Sequence, residues 1–201
     1  MKLAVLGATG RTGRLVVKAA RARGHAVTAL TRGRPGPDQS TLKWVRGDIS
    51  SPRALRELVD GQDAVVSLLG PTKTASDVCS TATATLIGLG VSRLIVVSGA
   101  GTDAPGDQKD FIGRAVSYAV RKLSPSVFID KQRELDLLVA SKINWTAVRP
   151  PRLTDGKSGR PLRVGLVRSP GTKIERMTLA QFCVDIAEGN QFIQQAPFVA
   201  N

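Results

Sequence analysis

Short apolar runs separated by helix-patterned or turn-rich stretches recur along the 201 residues of this chain. Leu3 to Leu6 is an uninterrupted apolar run, the pattern of a parallel strand covered on both faces, and Asp63 to Leu69 reads the same way. Further strands are expected at Ala26 to Leu30, from Leu42 through Val45, at Arg93 to Gly99 and at Asn144 to Val148. Helices fall between them. The first runs from Arg11 to about Arg23, with Gly24 suited to a left-handed C-terminal cap. A second spans Arg53 to Val59, with Ser51 as N-cap and Pro52 at the first helical position. A third covers Ser76 to Gly88. A fourth covers Val127 to Ala140, where Leu135, Leu138 and Val139 form one buried stripe and Lys131 and Glu134 are spaced to pair on the surface. Past the sixth strand the pattern gives a short strand over Leu162 to Val167, a threonine-capped helix from Thr178 to Glu188, and a last strand near Ala196 to Val199. Strand and helix alternate without an internal repeat or a second core. One α/β domain over residues 1–201, built on a doubly wound parallel sheet, is therefore expected.

The first strand runs straight into Gly7-Ala-Thr9-Gly10-Arg11-Thr12-Gly13. In a strand-turn-helix unit these glycines have separate tasks. Gly7 takes the tight turn, Gly10 lets backbone approach a pyrophosphate, and Gly13 lets the helix pack close to the strand. The helix then aims its unpaired N–H groups and positive dipole end at the phosphates. A dinucleotide site follows.

At the end of the second strand, an acidic residue would bond ribose hydroxyls and select NAD. The chain instead has Arg32 and Arg34, whose guanidiniums suit a 2′-phosphate and hence NADP, and no acid appears before Asp38. Exposed loop arginines are the other reading. Asp48 and Ile49, at the end of the third strand, are placed to hold adenine, and a loop cap is the alternative for Asp48. Leu69 to Lys73, including Gly70 and Thr72, lie at the end of the fourth strand, where open α/β sheets bind ligands.

Composition refines this picture. Hydrophobic residues at 42% and charged residues at 22% are ordinary for a globular domain. Cys79 and Cys183 lack metal-ligand spacing, so free thiols in a reducing, cytoplasmic setting are expected, and neither is a strong nucleophile. The lone His25 reads as a turn residue, and no metal site is expected. The N-terminal apolar run is too short for a signal peptide, and no run approaches a membrane span. A formal charge of +13 is concentrated in residues 1–50, where ten Lys and Arg face two acids. That field suits a polyanionic cofactor. With 4% aromatic residues and no recognition motif, it gives no case for specific nucleic-acid binding.

Gly7-x-x-Gly10-x-x-Gly13, Gly47-Asp48, Val97-Ser98-Gly99-Ala100 and Trp145-Thr-Ala-Val-Arg149-Pro150-Pro151 together resemble the atypical short-chain dehydrogenase/reductase superfamily. Within it, the chain is similar to the NmrA-like branch containing flavin reductase/biliverdin reductase B proteins. The resemblance implies a Rossmann-type fold that binds NADP and presents its nicotinamide to a small-molecule substrate. It implies that Gly10, Arg11, Thr12 and Gly13 surround the pyrophosphate, that Arg32 and Arg34 meet the 2′-phosphate, and that Asp48 and Ile49 meet the adenine. Leu69, Gly70 and Thr72 would line the nicotinamide side, with Ser98 and Pro150 at the ends of the fifth and sixth strands. The biliverdin-reductase-like members carry a serine where this chain has Gly99.

Tyr118 and Lys122 have the spacing of the short-chain dehydrogenase acid/base pair, in which lysine tunes a proton-donating tyrosine. In the superfamily, however, that lysine lies about eighteen residues before the Arg-Pro end of the sixth strand. Counting back from Arg149 gives Lys131, and the tyrosine position becomes Val127. Tyr118 is then assigned to helix packing and Lys131 to the ribose and nicotinamide neighbourhood, while Ser98, Lys131 and Thr72 are the candidate catalytic residues, Ser98 and Lys131 also meeting the cofactor. The loop Gly99 to Lys109 reads as a lid or as plain surface. Loops after strands four to six and the C-terminal part, Arg152 and Leu153 included, would form the substrate pocket. The expected activity is NADPH-dependent hydride transfer to a conjugated acceptor such as a flavin, quinone or tetrapyrrole, by a monomer or homodimer. A non-catalytic redox sensor of the NmrA type, or an isomerase or cyclase on the same scaffold, is the alternative.

Overall fold

A computed structural model describes residues 1–34, 36–70, 76–156 and 159–201. Six parallel strands form its central sheet: β1 (Lys2–Leu6), β2 (Ala26–Thr31), β3 (Leu42–Arg46), β4 (Ala64–Ser67), β5 (Arg93–Val97) and β6 (Asn144–Val148), in the order β3-β2-β1-β4-β5-β6. The order reverses between β2-β1 and β1-β4. That switch point opens a crevice at the strands' carboxyl ends.

Alternation along each strand divides the core in two. Leu3 and Val5 of β1 face a cluster shared with helices α1 (Arg11–Ala22) and α6 (Arg176–Glu188), through Val16, Ala20, Leu179 and Ile186. Ala4 and Leu6 face the opposite cluster, built from Leu55 and Leu58 of α2 (Pro52–Val59), Leu86 of α3 (Val78–Gly88), and Leu135 and Leu138 of α5 (Pro125–Ala140). Both faces being covered explains the continuous apolar runs. The remaining helix is α4 (Phe111–Leu123).

The C-terminal part adds β7 (Arg152–Thr154) paired with β9 (Lys173–Glu175), and β8 (Arg163–Gly165) paired with β10 (Phe198–Ala200). The tail also extends the edge of β6, since Ala147 and Arg149 donate their backbone N–H groups to Gln195 and Pro197.

Local signals held at several boundaries. Ser51 accepts from the Ala54 N–H and Pro52 opens α2, while Gly24 has φ +79° after α1. Others are corrected. Helix α6 starts at Arg176 with Glu175 at its N-cap, and Thr178 lies inside its first turn, where its Oγ1 accepts from Asn201. His25 is more than a turn residue: it is buried, and its Nε2 lies 2.5 Å from Glu188 of α6. Tyr118 does not pack into the core. It is 65% exposed, with the Lys122 ammonium 5.9 Å from its ring.

Candidate active site

The glycine turn is shaped by contacts that no side chain could share. Gly7 has φ +74°, and a Cβ there would stand 2.8 Å from the Leu68 carbonyl oxygen. A Cβ on Gly13 would stand 2.0 Å from the Gly7 carbonyl oxygen, so α1 is seated directly against the turn. Gly10, the N-cap of α1, donates its N–H to Gly7 O at 3.0 Å.

From this turn a groove runs along the carboxyl ends of the strands. Its β2/β3 side is a cavity of about 430 Å³ lined in part by Gly7, Thr9, Gly10, Arg32, Asp48, Ile49, Leu69 and Gly70. Asp48 accepts from the Ser50 N–H at 3.0 Å; that bond, aided by the nearby Arg32 charge, holds its carboxyl below the usual carboxylate range against the cost of burial. The β4/β5 side is a cavity of about 270 Å³ lined by Thr12, Ser98, Val127, Lys131 and Leu153 among others. Leu68, Leu69 and Gly70 line both cavities. The two are halves of one groove.

Not every candidate reaches this groove. Arg34 is exposed and Gly13 lies beneath the turn. Arg11 is ion-paired with Asp155, which also holds Arg176 at 2.7 Å. The Pro150 carbonyl accepts from the Ala100 N–H. Thr72 lies outside the described residues.

Lys131 occupies the floor of the β4/β5 side. Its ammonium donates to Leu69 O at 2.9 Å, Val97 O at 2.8 Å and Glu134 Oε2 at 3.0 Å, so all three protons go to protein acceptors. The pairing with Glu134 expected on the helix surface is thus a buried one, Glu134 being fully enclosed and also reached by the Thr83 hydroxyl. Burial disfavours the ammonium most strongly, but the Glu134 carboxylate and the Cys79 sulfur together lift Lys131 above the ordinary lysine value. For Glu134, burial dominates and raises the carboxyl. One position earlier, Asp130 accepts the Cys79 and Ser80 N–H groups at 3.0 and 2.9 Å, capping α3 from a different helix. Cys79 is buried here, and that burial pushes its thiol up to about 12, the range of an inert cysteine.

Ser98 contributes a buried hydroxyl with no hydrogen-bond partner among the described residues. Val127 lines the same half-groove one helical turn from Lys131, whereas Tyr118 does not.

The loop after β5 is pinned rather than poised as a lid. Lys109 Nζ bonds Gly101 O, Thr102 O, Asp103 and Ser117, all within 3.2 Å. Arg149, fully buried and stacked 3.7 Å over the Phe198 ring, grips Asp107 with two bonds of 2.6 and 2.7 Å. Sequence reasoning used Arg149 only as a landmark. Its Arg-Pro-Pro setting gave no sign of a partner 42 residues earlier.

A parallel sheet with this strand order, a glycine turn on its first strand and a groove across the switch point define a Rossmann-type α/β fold built to hold a dinucleotide. More specifically, the chain belongs to the NAD(P)H-binding family, which it matches over residues 7–190. It is 26% identical over 159 residues to the uncharacterized protein YwnB of Bacillus subtilis, covering 77% of this chain and 74% of that one. It superposes with a TM-score of 0.83 on a Streptococcus pneumoniae protein provisionally named an NADH-flavin reductase, at 25% identity over 100% of this chain and 99% of that one. A short-chain dehydrogenase/reductase from Veillonella parvula, solved with NADP, shares the fold with a TM-score of 0.81 at 16% identity, covering 100% and 94% of the two chains. No helix among the described residues is long and apolar enough to cross a membrane.

The residues present fit the cofactor that the family implies. The groove is continuous through Leu68 to Gly70, no described residue stands within 4 Å of where a Cβ on Gly70 would be, and the Ser98 hydroxyl, without a partner among the described residues, sits in the opposite half from Arg32.

Proposed function

We propose that this NAD(P)H-linked oxidoreductase is an NADPH-dependent reductase of small conjugated acceptors, a flavin or quinone before a tetrapyrrole. The observation that carries the reading is Val127 beside Lys131 on the β4/β5 half of the groove. An isolated carbonyl needs an acid to protonate its oxygen as hydride arrives. Valine has no proton to give. An acceptor that spreads the added charge over a conjugated system avoids that need, and its proton can come from solvent.

The cofactor would supply the hydride and solvent the proton; binding and positioning fall to the chain. Gly7, Thr9, Gly10 and Thr12 hold the pyrophosphate, with Arg11 at the mouth. Arg32 binds the 2′-phosphate, with Arg34 beside it, and Asp48 and Ile49 flank the adenine. Leu69 and Gly70 form the floor on the nicotinamide side. Lys131 positions that floor by tying the ends of β4 and β5 together. Ser98 and Thr72 are the hydroxyls that hydrogen-bond the acceptor or its reduced form, and Val120, Phe128 and Leu153 exclude water around it. Gly13 and Pro150 shape the backbone around the site. Two free, buried cysteines suit the cytoplasm.

Steady-state NADPH oxidation with a panel of flavins, quinones and simple ketones tests the reading. Turnover with the conjugated acceptors and none with ketones is expected. Tight NADPH binding without turnover on any acceptor would favour the redox-sensor alternative.

A further inference from the structure

Across the pinned loop from the groove lies a second cavity of about 350 Å³. It shares no lining residue with either half of the groove. The same segments nevertheless wall both. Gly99, Gly101 and Leu153 face the groove, while Ala100, Pro151 and Arg152 face the second cavity. Its apolar surface comes from Ile112, Val116, Pro151, Pro170 and Phe198.

The charges around it are unevenly committed. Lys109 is consumed by its four bonds to the loop and α4. Asp110 is turned to its own helix, accepting the Gly113 N–H at 2.7 Å. Arg152 is exposed, and its side chain has no hydrogen bond or ion pair among the described residues. An apolar chamber with one free guanidinium is the arrangement that holds a flat apolar body by burial and its carboxylate by a two-bond fork.

We propose that this cavity is a second ligand site, separate from the cofactor groove, that takes a small aromatic carboxylate with its ring system against Ile112, Val116 and Phe198 and its carboxylate on Arg152.

The test is a titration of the ¹⁵N-labelled protein with 2-naphthoate, followed by amide shifts, alone and with saturating NADP. Neutral 2-naphthalenemethanol serves as the uncharged control. Saturable shifts centred on residues 112–116 and 169–172 are expected, unchanged by NADP. The neutral probe should bind at least fivefold more weakly. Arg152→Ala should cost naphthoate a similar factor and leave the neutral probe unaffected. Val116→Trp, which fills the chamber, should abolish both sets of shifts while the remaining spectrum stays folded. Shifts centred on Ser98 and Gly99, displacement by NADP, indifference to Arg152→Ala, or no saturable shift would each overturn the proposal. The naphthoate readout does not depend on nucleotide binding, so the proposal and the reductase reading fail separately.

Discussion

Lys131 and Glu134 form a buried ion pair 3.0 Å long whose cation also bridges the last carbonyls of two neighbouring strands, Leu69 O beyond β4 and Val97 O of β5. The pair fixes the spacing of the strand ends on which a nicotinamide would rest. Neither charge has water to fall back on, so each depends on the other.

Glu134→Gln keeps the shape and removes the countercharge. An orphaned buried ammonium should cost about 3 kcal/mol in urea unfolding, the lower end of the range for breaking such pairs, because the amide oxygen still accepts a bond. A loss below about 1 kcal/mol would mean that the pair contributes no more than a surface bridge does.

Asp130 caps α3 through two backbone N–H groups, and those bonds hold its carboxyl below the ordinary value in spite of burial. A depressed folded pKa gives stability that is present above the unfolded value of about 3.9 and is lost as pH falls through the folded value. Asp130→Asn should therefore destabilise the protein by about 1 to 2 kcal/mol at neutral pH, as loss of a cap does. It should also flatten the acid limb of the stability curve. Parallel acid limbs in the two proteins would contradict the assignment.

Arg149→Lys replaces a two-bond fork on Asp107 with a point charge and removes the stacking on Phe198. A loss of about 2 to 3 kcal/mol is expected, together with faster amide hydrogen exchange across residues 101–109. Unchanged exchange in that loop would show that Arg149 does not hold it.

Gly13→Ala places a methyl 2.0 Å from the Gly7 carbonyl oxygen, a backbone atom that cannot swing aside. The expected cost is about 3 kcal/mol or more, at the upper end for overpacking. Gly70→Ala meets nothing within 4 Å among the described residues and should unfold like the parent. Similar unfolding midpoints for the two variants would contradict the seating of α1 on the turn.

Local pattern carried much of this fold. The apolar runs, the Ser51-Pro52 start and Gly24 each act over a few neighbours, and the elements formed close to where those signals fell. Lys131 and Val127 were singled out by the spacing that the family resemblance implies, counted back from Arg149, and both line the β4/β5 half of the groove. What stayed hidden depends on residues distant in the chain. Nothing near Lys109 announces that four acceptors will surround it, and the composition of the Gly99 to Lys109 loop suits a mobile lid as well as a pinned wall. Glu134 sits on a helix whose pattern permits a solvent-facing charge. Its burial follows only once Thr83 of α3 and the ends of β4 and β5 have closed around it.

The most direct test of the account is titration of the purified protein with NADPH and NADH at moderate salt, followed by nicotinamide fluorescence, with Arg32→Ala alongside. NADPH should bind more tightly than NADH. Losing the charge-assisted bonds to the 2′-phosphate should raise the Kd for NADPH by about tenfold or more in the variant, and leave NADH nearly unchanged. Binding of neither nucleotide would contradict the cofactor groove itself, and equal binding of both by parent and variant would contradict the role given to Arg32.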